Sequence, residues 1–166
     1  LDTRDRCILV LLFKTGMRVG ELTSLDVADI DLDKGEVTLK LKKKRSNRIL
    51  FLDNEAIAVL ERWLIARKKR SGAEGQALFL SKIGTRLTKR TLEELTLKHA
   101  ERVGLHDPQA DRLEDRFTPH CCRHWFVTHL LRAGMSRDFV KELRGDTRGE
   151  AIDIYNHIDK KELRDS

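Results

Sequence analysis

The sequence is poor in the features that mark a secreted or membrane-spanning protein. Its three cysteines are Cys7, Cys121 and Cys122. An odd number with two adjacent members makes a poor disulfide framework and favours a reducing, intracellular environment. No apolar run approaches the roughly 20 residues that cross a bilayer, and the opening Leu1-Asp2-Thr3-Arg4 is no signal peptide. We therefore expect a cytoplasmic protein that does not cross a membrane.

The sequence is rich in charged residues. There are 33 Lys and Arg against 27 Asp and Glu, which leaves a net charge of +6. A basic balance favours a polyanionic partner, either nucleic acid or an anionic membrane surface, although many basic proteins bind neither. Apolar residues recur at regular intervals, which predicts one folded domain over residues 1–166. The missing start methionine suggests a piece of a longer protein.

The apolar pattern predicts a mainly helical fold with one small β element. Residues 6–13 fit a buried helix that stops at Gly16. Residues 37–41 alternate between apolar and polar, and residues 49–52 read as the return strand of a hairpin with a basic tip. A third short strand is predicted at residues 78–80.

Capping residues predict the remaining helices. Asn54, Thr88, Thr118 and Ser136 each precede apolar residues at helical spacing, and their side chains can accept a hydrogen bond from the first turn. The predicted helices cover residues 54–70, 88–104, 118–133 and 136–145, with a last helical stretch around Tyr155.

His120 and Arg123 are three residues apart at the start of one predicted helix, so they share a face. The backbone N–H groups of a first turn favour an anion there. A guanidinium can hold two phosphate oxygens, and an imidazole beside it can donate a hydrogen bond or move a proton. The pair fits a phosphate site, or else two surface residues that begin a helix.

Three further features fit phosphate chemistry but also have plainer explanations. Arg18 begins a helix, and a second arginine on one phosphate would offset charge in the transition state, although such an arginine is more often a surface ion-pair residue. The lysines of the hairpin tip suit backbone binding or proton donation, or form a solvated turn. Tyr155, the only tyrosine, is a competent nucleophile once its proton is shared, although a lone tyrosine is usually a core residue.

The order and local sequence of these features resemble the phage-integrase or Xer-like tyrosine recombinases, from residue 1 to about residue 158. Residues 15–22, Thr-Gly-Met-Arg-Val-Gly-Glu-Leu, are similar to the first arginine motif of that family. Residues 118–131 resemble its His-x-x-Arg motif and the helix that follows, and residues 143–157 resemble the segment that ends in its nucleophile. The resemblance implies the tyrosine recombinase catalytic-domain fold, mainly α with a small three-stranded antiparallel sheet.

The resemblance also implies catalytic roles. Arg18 and Arg123 would clamp the scissile phosphate, and Glu21 would orient or balance Arg18. His120 would assist by hydrogen bonding and proton transfer. Tyr155 would attack the phosphorus and leave a 3′-phosphotyrosine with a free 5′ hydroxyl. The reaction would need no metal, no ATP and no other cofactor.

The hairpin tip would supply the acid for the leaving 5′ oxygen. Matching the return strand to the family places this lysine at Lys43, with Lys42 or Lys44 as alternatives. The predicted helix that begins near Thr88 resembles the one that such domains place in the major groove. The residues expected to contact DNA are Lys42, Lys44, Arg45, Arg86, Lys89 and Arg90.

One position departs from the family pattern. Nine residues before Tyr155 the family usually has a histidine or tryptophan, and here the residue is Asp146. An ionised aspartate cannot donate to a phosphate oxygen and would repel it. Three explanations are open: Asp146 points away and pairs with a basic residue, His157 or His124 supplies the donor, or the enzyme is slow or inactive.

The implied partner is double-stranded DNA, with no membrane partner, in a prokaryotic, archaeal or viral setting. The full-length protein would add an N-terminal DNA-binding domain and assemble as a tetramer on DNA, whereas the isolated domain would be a monomer. A type IB topoisomerase-like enzyme uses the same chemistry, and a DNA-binding relative that has lost catalysis is the alternative that Asp146 favours. A metal module on His120, Cys121, Cys122 and His124 fits poorly, because zinc sites favour spaced cysteine pairs.

Overall fold

A computed structural model of the protein describes residues 2–40, 48–112 and 116–145. The helices in these ranges are α1 (Thr3–Thr15), α2 (Val19–Ser24), α3 (Asn54–Arg67), α4 (Lys89–Arg102), α5 (Pro119–Arg132) and α6 (Arg137–Arg144). The strands are β1 (Ile30–Asp31), β2 (Glu36–Leu39) and β3 (Arg48–Phe51). The predicted fold class, mainly α with a three-stranded antiparallel sheet, is confirmed.

Helix α1 lies in the core, because it buries Ile8, Leu11 and Leu12 and packs against both α3 and α5. Each such side chain contributes about 1.5–3 kcal/mol by leaving water. The helix ends at Gly16, as predicted, where a φ of 59° is free of strain for glycine. A side chain at Gly16 would collide with the ring of Phe126 on α5. Glycine therefore also lets α5 approach the end of α1, which places the site described below.

The sheet has the order β1-β2-β3 with antiparallel neighbours, and Val37 pairs with Leu50 in its register. The predicted third strand at residues 78–80 is wrong, since the third strand is β1. Residues 78–80 do not join the sheet because their backbone pairs with loops. The Leu78 N–H, for example, donates to the Leu25 carbonyl at 2.9 Å.

Helix α3 begins one residue earlier than a cap at Asn54 predicts. The side chain of Asp53 accepts the backbone N–H of Ala56 at 2.9 Å, so Asp53 is the cap and Asn54 is the first helical residue. The same carboxylate pairs with Lys14 on α1 at 2.7 Å. Asp53 therefore both starts α3 and fixes it against α1.

The predicted starts of the later helices are confirmed. Thr88 and Ser136 precede α4 and α6, and each side chain accepts a backbone N–H of the first turn at 3.2 Å. Pro119 is the first residue of α5, where the missing proline N–H costs no hydrogen bond. These caps fix which residues of α4 and α5 lie in the first turn.

Two predicted segments, the hairpin tip at residues 41–47 and the helical stretch around Tyr155, lie outside the described residues. Within the described ranges, none of the helices has the length and apolar character that a membrane crossing requires.

Candidate active site

A groove of about 1130 Å³ opens between α2, the end of β2, the start of α4 and the start of α5. Arg18, His120 and Arg123 all line it. The first arginine motif and the His-x-x-Arg motif, far apart in the sequence, therefore meet at one surface. The other charged residues that line the groove are Glu21, Asp26, Asp29, Lys40, Arg86, Lys89 and Glu93.

Arg123 is buried, with 5% of the residue exposed. Its Nη1 donates to the Gly16 carbonyl at 2.8 Å and its Nη2 donates to the Arg144 carbonyl at 2.8 Å. These bonds compensate the cost of burying a charge, and they join the end of α1 to the end of α6. His120, in the same turn of α5, is exposed in the groove.

Arg18 lies just before α2, with its side chain partly exposed. Its Nη1 is 3.2 Å from Glu21 Oε1 and 3.3 Å from the Arg144 carbonyl oxygen. Glu21 Oε2 accepts the backbone N–H of Arg18 at 2.7 Å. The Glu21 carboxylate therefore holds both the backbone and the side chain of Arg18.

A third arginine, for which the sequence motifs predict no role, lies beside these two. Arg48, at the start of β3, donates from Nη1 to the Arg144 carbonyl at 2.7 Å and from Nη2 to Glu21 Oε2 at 3.0 Å. The signal that could have found it is the strand alternation, which puts Arg48 on the same inward face as Leu50 and Leu52. A charged residue in an inward position requires a partner in the interior.

The other basic residues predicted to contact DNA differ in their surroundings. Arg86 donates to the carbonyls of Thr23 and Leu25 at 3.2 and 2.9 Å. It therefore connects the loop that precedes α4 to the end of α2. The Lys89 side chain lies across α2 at Gly20. A Cβ added at Gly20 would come within 2.9 Å of the Lys89 Cε.

Two predicted site residues lie away from these contacts. Arg90 forms an exposed pair with Glu94 at 2.8 Å. His124 is exposed on α5 and is not among the described residues that line the groove.

Several predicted site residues lie outside the described ranges. They are Lys42, Lys43, Lys44, Arg45, Asp146, Tyr155 and His157. The described residues therefore include the two arginines and the histidine of the predicted site, whereas the predicted acid and nucleophile lie outside the described ranges.

The cysteines of the His-x-x-Arg motif have different surroundings. Cys122 is fully buried, and burial raises the pKa of its thiol to about 12. Cys121 lies near the cap of α5, where its Sγ accepts the Thr118 N–H at 3.3 Å. Within the described residues, no group of three or more His, Cys, Asp or Glu side chains is close enough to hold a metal ion.

This arrangement suits an anion with several oxygens. Arg18 and Arg123 reach a common oxygen, that of Arg144, so one phosphate could also lie within reach of both. A guanidinium has five N–H donors, so holding carbonyls is compatible with holding phosphate oxygens. His120 adds a group that can donate a hydrogen bond or move a proton.

Comparison with known proteins gives consistent results. A model of the phage integrase family matches residues 1–162. The tyrosine recombinase XerC of Roseiflexus castenholzii is 38% identical over 159 residues, which cover 93% of this chain and 48% of that protein. XerC of Haemophilus ducreyi is 38% identical over 162 residues, which cover 98% and 50%. The chain spans about half the length of these relatives.

Solved structures share the fold. The crystal structure of XerA recombinase matches with a TM-score of 0.78 at 29% identity, covering 99% of this chain and 57% of that one. The XerH site-specific recombinase, bound to its difH substrate in a pre-cleavage complex, matches with a TM-score of 0.72 at 26% identity, covering 98% and 45%.

Proposed function

The chain belongs to the phage integrase family, and we propose that it is the catalytic part of a site-specific tyrosine recombinase. The observation that carries this proposal is the meeting of Arg18, His120 and Arg123 in one groove. Relatives named tyrosine recombinase favour recombination over topoisomerase-like strand passage.

In the proposed reaction, the arginines stabilise charge on the phosphate. Negative charge builds up on the two non-bridging oxygens when a nucleophile adds to phosphorus, and guanidinium groups already fixed in place stabilise it most. Arg123 is fixed by the Gly16 and Arg144 carbonyls, and Arg18 by Glu21. His120 would donate to a phosphate oxygen or carry a proton.

The nucleophile in this proposal is Tyr155. The Tyr155 hydroxyl gives up its proton to His120 as its oxygen attacks phosphorus. The bond from phosphorus to the 5′ oxygen breaks, and Lys43 gives a proton to that oxygen as it leaves. The products are a 3′-phosphotyrosine and a 5′ hydroxyl. Attack of a 5′ hydroxyl on the phosphotyrosine reverses the steps and rejoins a strand. The ester keeps the energy of the broken bond, so the proposal requires no ATP, and the arginines take the charge-stabilising role that a metal has elsewhere.

The proposed partner is double-stranded DNA, which the groove would hold through phosphate contacts. The structural neighbour XerH was solved with its difH substrate.

We also propose that the full-length protein forms a tetramer on DNA and that the isolated domain is a monomer. The protein would act in the cytoplasm of a prokaryotic cell. The domain organisation, with residues 1–166 as one catalytic domain, belongs to the same proposal.

A covalent-adduct assay tests the chemistry. Full-length protein is mixed with nicked duplexes from its native genomic neighbourhood, and adducts that survive SDS are mapped by mass spectrometry. We expect DNA attached to Tyr155 in the wild-type protein and no adduct in Tyr155→Phe, since a phenyl ring has no nucleophilic oxygen. The phenylalanine variant should still bind the same DNA.

Asp146 supports the second candidate function, a DNA-binding relative without catalysis. Salt-sensitive binding to a duplex on which the wild-type protein forms no adduct would contradict the recombinase proposal. An Asp146→His variant that then forms the adduct would identify Asp146 as the cause.

A further inference from the structure

Arg48 belongs to the arginine cluster but does not line the groove, whereas Arg18 and Arg123 do. It is the first residue of β3 and points inward like Leu50, with 4% of its side chain exposed. A charge buried this deeply is unfavourable unless strong partners compensate. The partners of Arg48 therefore indicate its task.

One guanidinium joins two helices that are far apart in the sequence. Arg48 Nη2 bonds to Glu21 on α2 at 3.0 Å, and Nη1 bonds to the Arg144 carbonyl at the end of α6 at 2.7 Å. Arg18 bonds to the same two residues, at 3.2 and 3.3 Å. Arg48 therefore holds, from behind, Glu21 and the Arg144 carbonyl, the two groups to which Arg18 bonds among the described residues.

The Arg144 carbonyl also connects Arg48 to Arg123, which donates to it at 2.8 Å. As the last carbonyl of α6, this oxygen carries part of the negative end of the helix dipole. Arg18, Arg48 and Arg123 thus share one acceptor. That oxygen therefore links the positions of the Arg18 and Arg123 guanidinium groups.

Gly145 shows how closely the backbone approaches Arg48. Its φ is 65°, and a Cβ at this position would collide with the Nη1 and Cζ of Arg48. The chain continues from here towards Asp146 and Tyr155. Arg48 therefore contacts the point at which α6 ends and the segment of the proposed nucleophile begins.

We infer that Arg48 is a positioning residue for strand cleavage, acting through Glu21 and the Arg144 carbonyl. It keeps Arg18 and Arg123 at the spacing that one phosphate requires and fixes the end of α6. This inference rests on the proposed function, because it concerns the same phosphate. Since Arg48 lies behind the groove wall, its replacement should slow cleavage at saturating DNA and leave the DNA Kd nearly unchanged.

Arg48→Lys tests this in the full-length protein. Lysine keeps the charge, but its ammonium is a point charge. It cannot reproduce the two hydrogen bonds that the planar guanidinium makes to Glu21 and the Arg144 carbonyl at the same time. We expect single-turnover cleavage of a nicked duplex at saturating DNA to fall by about 10- to 100-fold, as for other losses of supporting contacts. A wild-type rate at saturating DNA would overturn the inference.

Arg67→Lys is the matched control. Arg67 is equally buried, at 5%, and bonds to backbone carbonyls of Ala73, Gly75 and Ala77 away from the groove. This variant should lower the unfolding temperature without changing the saturated cleavage rate. If both variants slow cleavage in proportion to lost stability, Arg48 has only a structural role.

A double-mutant cycle tests the route through Glu21. If Arg48 acts through Glu21, then Glu21→Gln combined with Arg48→Lys should be about as slow as the slower single variant. Fully additive slowing would contradict the inference. If Arg48→Lys does not fold, Gly145→Ala displaces the same guanidinium while keeping the arginine, and it should slow cleavage as well.

A readout without catalysis separates the two proposals. The side-chain Nε–Hε signals of Arg18 and Arg123 can be followed by NMR in the full-length protein without DNA. Arg48→Lys should shift both signals, and Arg67→Lys should shift neither. If the wild-type protein forms no adduct, the proposed function fails, and these signals alone decide whether Arg48 positions the two arginines. If Arg48→Lys leaves the Arg18 and Arg123 signals unmoved, the inference that Arg48 positions them is overturned.

Discussion

At the scale of single residues, the end of α6 depends on the pair Arg144 and Gly145. The Arg144 carbonyl accepts hydrogen bonds from Arg18, Arg48 and Arg123. Gly145 adopts a left-handed conformation and leaves room for the Arg48 guanidinium. Glycine is therefore favoured here for two reasons, the left-handed backbone and the space for Arg48. A comparison with another left-handed glycine that has no close neighbour separates the two.

We predict that Gly145→Ala is more destabilising than Gly104→Ala. Gly104 has a similar φ of 74°, and a Cβ added there would have nothing within 4 Å, so its replacement measures the left-handed strain alone, about 1–2 kcal/mol. At Gly145 the Arg48 guanidinium must also move, which should add about 1–3 kcal/mol. Urea unfolding of both variants gives the comparison, and equal losses would mean that Arg48 yields without cost.

The residues that sequence could predict at this scale are those with a local pattern. Arg18, His120 and Arg123 lie in short motifs, and the structure brings them to one groove. Arg48 stands in no such motif, because its partners are 27 and 96 residues away. Only the inward register of its strand, beside Leu50, indicates that its charge must be neutralised inside.

At the scale of elements, α1 and α4 are joined by a charged contact near the start of α1, whereas Arg18 follows the end of α1. Asp5 on α1 accepts from Arg4 at 2.8 Å and lies 3.0 Å from His99 Nε2 on α4. Burial acts to raise the pKa of Asp5, but the hydrogen bonds with His99 and Arg4 outweigh it and hold the pKa below its ordinary value of 3.8. The ionised carboxylate is therefore favoured in the folded protein.

This direction fixes the sign of a pH effect. A group whose pKa is lower in the folded state stabilises the fold above its unfolded pKa and loses that contribution as the pH falls through the folded value. We predict that Asp5→Asn costs about 1–3 kcal/mol at pH 7. The difference from wild type should shrink as the pH falls below 3.8. Urea unfolding at several pH values measures it, and a constant difference would contradict the role of ionised Asp5.

Element boundaries were predictable where one residue type determines them. Gly16 ends α1, and Thr88 and Ser136 begin α4 and α6, because their backbone or side-chain chemistry acts locally. The prediction of a strand at residues 78–80 is wrong, and the sequence does not predict β1, for the opposite reason. A two-residue strand such as β1 has no alternation to detect, and only its pairing with β2 defines it.

At the scale of the whole molecule, the groove has a mixed charge. Basic and acidic residues both line it, so the net charge of +6 does not indicate which basic residues would contact DNA in the proposed function. The surroundings of Arg86 and Lys89 distinguish them. Arg86 binds the backbone of Thr23 and Leu25, whereas Lys89 extends across α2 at Gly20.

We predict different effects for these two residues. Lys89→Ala should weaken DNA binding and reduce the slope of log K against log salt by about one, as expected for one lost phosphate contact. Arg86→Ala should lower the unfolding temperature, because it removes the donor to the Thr23 carbonyl and the ion pair with Asp26. Titrations at several salt concentrations and thermal unfolding measure the two. An unchanged salt slope in Lys89→Ala would exclude it as a phosphate contact.

The carbonyl bonds of the arginine cluster would have an entropic consequence for the proposed binding of DNA. A free arginine side chain carries about 2 kcal/mol of rotamer entropy. Arg48 and Arg123, each 5% exposed, lose that freedom when the chain folds. In the proposed reaction, a phosphate entering the groove therefore meets an Arg123 guanidinium that is already ordered, and its binding does not have to immobilise that group. In the proposed reaction, this preorganisation leaves more of the electrostatic attraction for the transition state of strand cleavage.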